Sequence, residues 1–150
     1  MKIDAHQHFW KLARGDYSWL TPQLEQLYRD FGPADLKPLL DAAGIDGTIA
    51  VQAADTEEET GYLLSLAETH DWILGVVGWT DLEAPNAPAT IERMAQSPKL
   101  VGLRPMIQDI EDDAWMLKAS LRPALDAMVE HDLTFDALVM PRHLQHLLKF

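Results

Sequence analysis

Apolar residues along this chain fall into two alternating patterns. Five short runs are almost continuously apolar and rich in β-branched residues or glycine. They are K-I-D-A-H (Lys2–His6), T-I-A-V-Q (Thr48–Gln52), I-L-G-V-V-G-W (Ile73–Trp79), L-V-G-L-R (Leu100–Arg104) and F-D-A-L-V (Phe135–Val139). Runs of this kind read as strands of a parallel sheet buried on both faces. The segments between them carry helical periodicity. Leu36, Leu39, Leu40 and Ala43 share a face of a stretch that Gly44 is placed to end. Thr56 offers an N-cap with Glu59 at capping-box spacing, and Leu63, Leu64, Leu66 and Ala67 supply the apolar side. Ile91, Met94 and Ala95 form another stripe, as do Leu121, Leu125, Met128 and Val129. Pro141 suits a first helical turn, followed by Leu144, Leu147 and Leu148 on one face.

Strand and helix therefore alternate, with a long insertion, Asp16–Phe31, after the first strand. Strict alternation implies an α/β fold with a parallel sheet and right-handed crossovers. Two architectures fit. An open doubly wound sheet could be completed by this many strands, whereas a (β/α)8 barrel typically takes ~250 residues. Pattern and length alone favour the open sheet. The motif H-Q-H-F-W (His6–Trp10) stands where a glycine-rich phosphate loop would follow the first strand, which argues against a dinucleotide site.

Composition narrows the function classes. The 150 residues are 47% hydrophobic and 24% charged, as expected of one globular domain, 1–150. The formal net charge is −12, so neither nucleic acid nor an anionic membrane surface is an expected partner. With no cysteine, disulfide and thiolate chemistry are excluded. The N-terminus lacks a signal-peptide pattern, and no apolar run approaches the ~20 residues of a membrane span, so a cytoplasmic location is expected.

The candidate chemistry lies at the C-terminal ends of the predicted strands, where parallel α/β folds bind ligands. His6 and His8 share a face by strand alternation, with Asp4 on it too. Two imidazoles so spaced can converge on one ion, and neutral histidine suits zinc, although a catalytic zinc takes about three protein ligands. Arg104 ends an apolar strand; it is either a structural ion pair or a fork for a carboxylate or carbonyl oxygen. Gln52 and Trp79 end two further strands. Asp136, inside the fifth run, reads as a supporting group that needs a hydrogen bond or ion pair if buried. Phe9, Trp10, Tyr17 and Trp19 make the first loop aromatic-rich. Packing is the plain reading there; a platform for a sugar ring, with Trp10 binding substrate, is the functional one. His70, His131, His143 and His146 fall in predicted helices near surfaces or helix ends and receive no chemistry.

Taken in order, M-K-I-D-A-H-Q-H-F-W, G-D-Y-S-W-L (Gly15–Leu20), I-A-V-Q-A (Ile49–Ala53), G-V-V-G-W-T-D-L (Gly75–Leu82) and V-G-L-R-P (Val101–Pro105) resemble the lactone-hydrolysing branch of the amidohydrolase superfamily. The nearest group there is the L-fuconolactone hydrolases, with rhamnonolactonases and pyrone-dicarboxylate lactonases close by. The resemblance implies that these are the first five βα units of a (β/α)8 TIM-type barrel of the metal-dependent hydrolase type, replacing the open sheet. It implies hydrolysis of a small-molecule sugar lactone to the sugar acid. His6 and His8 match the catalytic first-strand pair that can hold one divalent metal, zinc first, in a branch where some members dispense with it. Arg104 matches a fourth-strand arginine that holds or polarises substrate; Gln52 and Trp79 match pocket-lining positions. The general base of this superfamily, an aspartate after an eighth strand, has no counterpart before Phe150. The expectation is thus an incomplete barrel, the N-terminal part of a longer enzyme, inactive alone and completed by the missing half or by self-association. The rival expectations are a metal-dependent decarboxylase on the same scaffold and a non-catalytic half-barrel that assembles with a partner chain.

Overall fold

The computed structural model describes residues 1–150. Five parallel strands, β1 (Ile3–Gln7), β2 (Gly47–Val51), β3 (Ile73–Gly78), β4 (Leu100–Leu103) and β5 (Thr134–Phe135), form one sheet in the order β1-β2-β3-β4-β5. Each strand lies beside its predecessor, and the order never reverses. A doubly wound sheet reverses at a switch point; a barrel winds in one direction. The topology is therefore that of a half-barrel, and the open sheet favoured by pattern and length is corrected. Right-handed crossovers in a one-way winding send every connecting helix to the same face.

The helices are α1 (Pro33–Ala43), α2 (Glu57–Thr69), α3 (Ala87–Met94), α4 (Arg122–Glu130) and the short α5 (Leu144–Leu147). Gly44 ends α1 at φ 63°, a left-handed cap that a side chain would resist. The Thr56 hydroxyl caps α2 by accepting from the Glu59 N–H at 3.1 Å. The predicted capping box is only half present, because the Glu59 carboxylate turns elsewhere. The largest core packs α3, α4 and the 107–121 segment on β4, centred on Ile91, Leu103, Ile107, Trp115 and Leu121. A second core, Phe9, Ala50, Leu63, Ala67, Ile73 and Val76, lies under α2. No helix is long and apolar enough to cross a membrane.

Five helix-face expectations need correction. Leu39 and Ala43 of α1, Val129 of α4 and Leu144 of α5 are exposed, as is Leu148 beyond α5. All five sit on the elements flanking the two outer strands. His143, expected near the surface, is fully buried: its Nδ1 accepts from the Met140 N–H at 2.9 Å, and its Nε2 lies 3.5 Å from Asp113. It ties the last helical segment to the loop before α4.

Where the strands stop decides the site. β1 to β5 end at Gln7, Val51, Gly78, Leu103 and Phe135. The first residues beyond them are His8, Gln52, Trp79, Arg104 and Asp136. Backbone hydrogen bonds run one residue past the ladders, from Gln52 N to Val77 O at 2.8 Å, Arg104 N to Gly78 O at 2.8 Å and Asp136 N to Leu103 O at 3.0 Å. One chemical group per strand thus stands at the same level of the barrel mouth.

Candidate active site

The β1–β2 register slips by one residue between Asp4 and Gln7, the mark of a β-bulge. Bulges break alternation and re-aim side chains, and this one contains His6. Asp4, expected on the same face, instead accepts the His6 backbone N–H at 3.2 Å. His6 and His8 do converge. Their rings meet edge to face, centroids 4.7 Å apart, and their Nε2 atoms are 3.0 Å apart.

The tautomers follow from the partners. His8 Nδ1 lies 2.9 Å from the Val51 carbonyl, which only accepts, so Nδ1 carries the proton and Nε2 presents a lone pair. Burial holds the His8 pKa below its ordinary value, with the charges of Arg104 and His6 adding to this and the Val51 carbonyl opposing it. His6 Nε2 faces that lone pair and also sits 3.3 Å from Arg104 Nη1, a donor. One nitrogen cannot donate to His8 and accept from Arg104 at once. If His6 accepts from Arg104, two acceptor nitrogens stand 3.0 Å apart with no proton between them, a repulsion that a positive charge beside them relieves.

Arg104 is 5% exposed. Its Nη2 donates to the Gln52 backbone carbonyl and, at 3.1 Å, to Gln52 Oε1, while Gln52 Nε2 returns a bond to the Arg104 carbonyl at 3.1 Å. Gln52, fully buried, is the cradle of the guanidinium rather than an open pocket wall. No carboxylate pairs with Arg104, which removes the structural ion-pair reading; Asp136 and Glu59 face it only at longer range, and burial lowers its pKa. Its Nε is buried without a partner. Asp136 is half-buried, and its carboxylate forms no hydrogen bond. The arrangement is a fixed, underpaired cation beside two imidazoles, suited to stabilising an oxyanion.

Trp79 is fixed by Thr60, whose hydroxyl donates to the Trp79 carbonyl at 2.9 Å and accepts its N–H at 2.8 Å. That approach needs Gly78, where a Cβ would collide with the Thr60 methyl. The half-buried Trp79 ring lines a cleft of about 230 Å³ with Asp55, Thr80, Asp81, Pro105 and Trp115. Trp10 is elsewhere. It is 8% exposed in the loop's own core with Tyr17, Leu20, Ala53 and Ala54, and its N–H is taken by the Arg29 carbonyl at 2.8 Å. Reciprocal 3.0 Å bonds between Trp10 and Phe31 close this loop at its base. The exposed aromatics of the loop are Trp19 and Tyr28, and Trp19 Nε1 donates to the Ala53 carbonyl at 2.8 Å.

Residues 3–149 match the amidohydrolase family. The chain belongs to it. This amidohydrolase is 52% identical over 149 residues to an L-fucono-1,5-lactonase of Burkholderia ambifaria, a match covering 99% of the chain and 51% of the relative. It is 38% identical over 147 residues to an L-fucono-1,5-lactonase of Burkholderia multivorans, covering 96% and 49%. The chain thus spans about half the length of the curated relatives it matches. Among solved structures, an amidohydrolase from Burkholderia multivorans with bound zinc superposes with TM-score 0.89 at 37% identity, over 100% of this chain and 53% of that one. The five strands are accordingly part of the amidohydrolase barrel.

For a metal, this amidohydrolase chain offers His6 and His8 as two nitrogen ligands whose Nε2 atoms converge, which fits half of a zinc-type site. No group of three His, Cys, Asp or Glu residues gathers there, so a third ligand is not among these side chains. Glu59 is the functional group that sequence reasoning missed. It sits at capping-box spacing, which hid that its carboxylate is fully buried and bound to the backbone at the end of β2.

Proposed function

We propose that this chain carries the charge-stabilising half of a sugar-lactone hydrolase, opening a lactone of the L-fucono-1,5-lactone kind to the sugar acid. The observation that carries the reading is Arg104, a buried guanidinium with no carboxylate partner beside the His6–His8 pair. It is supported by the 52% identity to a protein of that activity.

On this reading the lactone carbonyl oxygen lies against the N–H donors of Arg104, beside the His6–His8 pair. Water adds to the carbonyl carbon, and the negative charge forming on oxygen is held by the preorganised donors. The ring C–O bond then breaks, the ring oxygen takes a proton as a hydroxyl, and the carbonyl carbon becomes the carboxylate. A general base must take the attacking water's proton. No carboxylate gathers with the imidazole pair in residues 1–150; on this reading the base comes from the rest of the barrel, and residues 1–150 alone should show no turnover. His6 and His8 would hold a divalent cation, zinc by donor type, which when bound adds Lewis-acid polarisation of the carbonyl. The Trp79 cleft, with Asp55 and Asp81 on its walls, accepts a neutral, hydroxyl-rich ring. Trp79 in the cleft offers a face for its apolar side, and Trp19, packed edge-on against Trp10, is a second exposed ring.

The test is hydrolysis of L-fucono-1,5-lactone by the intact protein, before and after chelation, alongside Arg104→Lys. Lactone opening should be measurable, and R104K should lower kcat by about 10²–10³-fold, as loss of an oxyanion donor does. Chelation should lower the rate and zinc restore it. Undiminished R104K activity would sink the proposal.

A further inference from the structure

One buried carboxylate remains unused by this chemistry. Glu59 lies on the first turn of α2, fully buried. Its Oε2 accepts from Ala53 N at 2.9 Å and Ala54 N at 2.7 Å, and Oε1 lies 3.1 Å from Ala53 N. Those two peptides continue β2 directly into the site. Within the same four residues, the Val51 carbonyl fixes the tautomer of His8, Gln52 cradles Arg104, and the Ala53 carbonyl holds Trp19. Each of these contacts depends on where residues 51–54 are placed. After Gln52 no ladder holds the backbone, and Glu59 is the group that does.

We propose that Glu59 is the positioning residue of this catalytic face, its ionised carboxylate fixing residues 51–54 and through them His8, Arg104 and Trp19. Its charge also faces the otherwise underpaired Arg104. The other titratable groups packed toward Glu59 are Asp16, Tyr17 and Arg14 from the loop after β1 and Tyr62 from α2. Asp16 is paired with Arg14 and receives the Thr56 hydroxyl at 3.1 Å. The Tyr17 hydroxyl is buried beside Glu59 with no bond of good geometry. Burial pushes the Glu59 carboxyl up to about 7, against the pull of the Ala54 and Ala53 N–H groups and of Tyr17. The protonation state of the anchor therefore changes near neutrality. Protonation leaves one oxygen to accept and turns an O–H toward backbone donors.

The catalytic part of this inference rests on the lactonase reading; the anchoring part does not. The experiment uses the intact protein and has both readouts. Glu59→Gln keeps the shape and one acceptor oxygen but removes the charge, and so mimics the protonated anchor at every pH. With L-fucono-1,5-lactone, E59Q should lower kcat at pH 8 by about 10–100-fold, the usual cost of losing a supporting partner. KM should change less than kcat, and the acid limb with midpoint near 7 should vanish. A purely structural glutamate would instead lower Tm and leave kcat and the pH profile of the folded fraction as in the wild type; that result overturns the proposal. Amide chemical shifts of Ala53 and Ala54 in the wild type give the second readout. They should titrate together near neutrality, and flat shifts from pH 5 to 9 overturn the proposal even where E59Q fails to fold. A wild type that leaves the lactone intact while both amides titrate overturns the lactonase reading and keeps the anchor.

Discussion

Arg104 and Glu59 are buried charges of opposite sign that do not touch, Glu59 bound to the Ala53 and Ala54 backbone and Arg104 to the backbone and side chain of Gln52, both at the end of β2. Buried ions without direct partners cost stability, and they persist where their charge does something else. The cost of Glu59 has a definite sign. Its folded pKa, about 7, lies above the ordinary 4.5, so between those values the folded state binds more protons than the unfolded. Stability from this group is complete below pH 4.5, falls as pH rises towards 7, and is level above. His8 acts oppositely, since its lowered pKa makes stability fall as pH drops through 6.5. Chemical denaturation from pH 5 to 8 should show E59Q gaining on the wild type as pH rises, by a slope the His8 contribution cannot cancel because both proteins carry it. At this scale the sequence announced His6, His8 and Arg104, because those residue types at strand ends are conspicuous. It hid Glu59, because spacing from Thr56 has an ordinary capping explanation and burial is a property of the fold. It misplaced Trp10, because an aromatic residue two positions after His8 says nothing about which way its ring turns.

At the scale of the elements, apolar runs located the first four strands within a residue; the fifth is shorter, its pairing ending at Phe135 before the run does. What periodicity could not show was the irregularity in β1. A bulge depends on register against β2, so it is absent from the β1 sequence alone, and it is what separates Asp4 from the imidazole pair. The cap of α2 was legible in residue types and is real, yet it does more than start a helix. The Thr56 hydroxyl accepts from Glu59 N and donates to Asp16, joining α2 to the loop above the site. Thr56→Ala should therefore cost more than the ~1 kcal/mol typical of a lost cap. Thermal unfolding should place it nearer 2 kcal/mol, the upper end of the cap range. A loss well under 1 kcal/mol would show that the loop contact carries no weight.

For the whole molecule, composition bounded the class and argued against a nucleic-acid partner, while length misdirected the architecture. A one-way strand order cannot be read from periodicity, which is the same for barrels and doubly wound sheets; the ordered motifs supplied it. The half-barrel leaves two open flanks. One carries Ile3 and Leu39, the other Val129, Leu148 and Phe150, all exposed. Unpaired strand edges beside apolar faces invite association. Sedimentation of isolated residues 1–150 should show mass rising with concentration; a monomer with cooperative thermal unfolding would contradict this. The alignment of His8, Gln52, Trp79, Arg104 and Asp136 at the first step past each strand has a historical consequence. Each side chain departs where the ladder has just ended, so replacing one changes no strand pairing, and only the His8–Val51 and Gln52–Arg104 contacts tie a tip to a neighbour's backbone. A lineage can exchange the group at one strand tip while keeping the other tips, and so drift between substrates by single substitutions without refolding the scaffold. The exception is the β2 tip, where residues 51–54 serve three partners at once; substitutions there should be the rarest among descendants that keep the reaction.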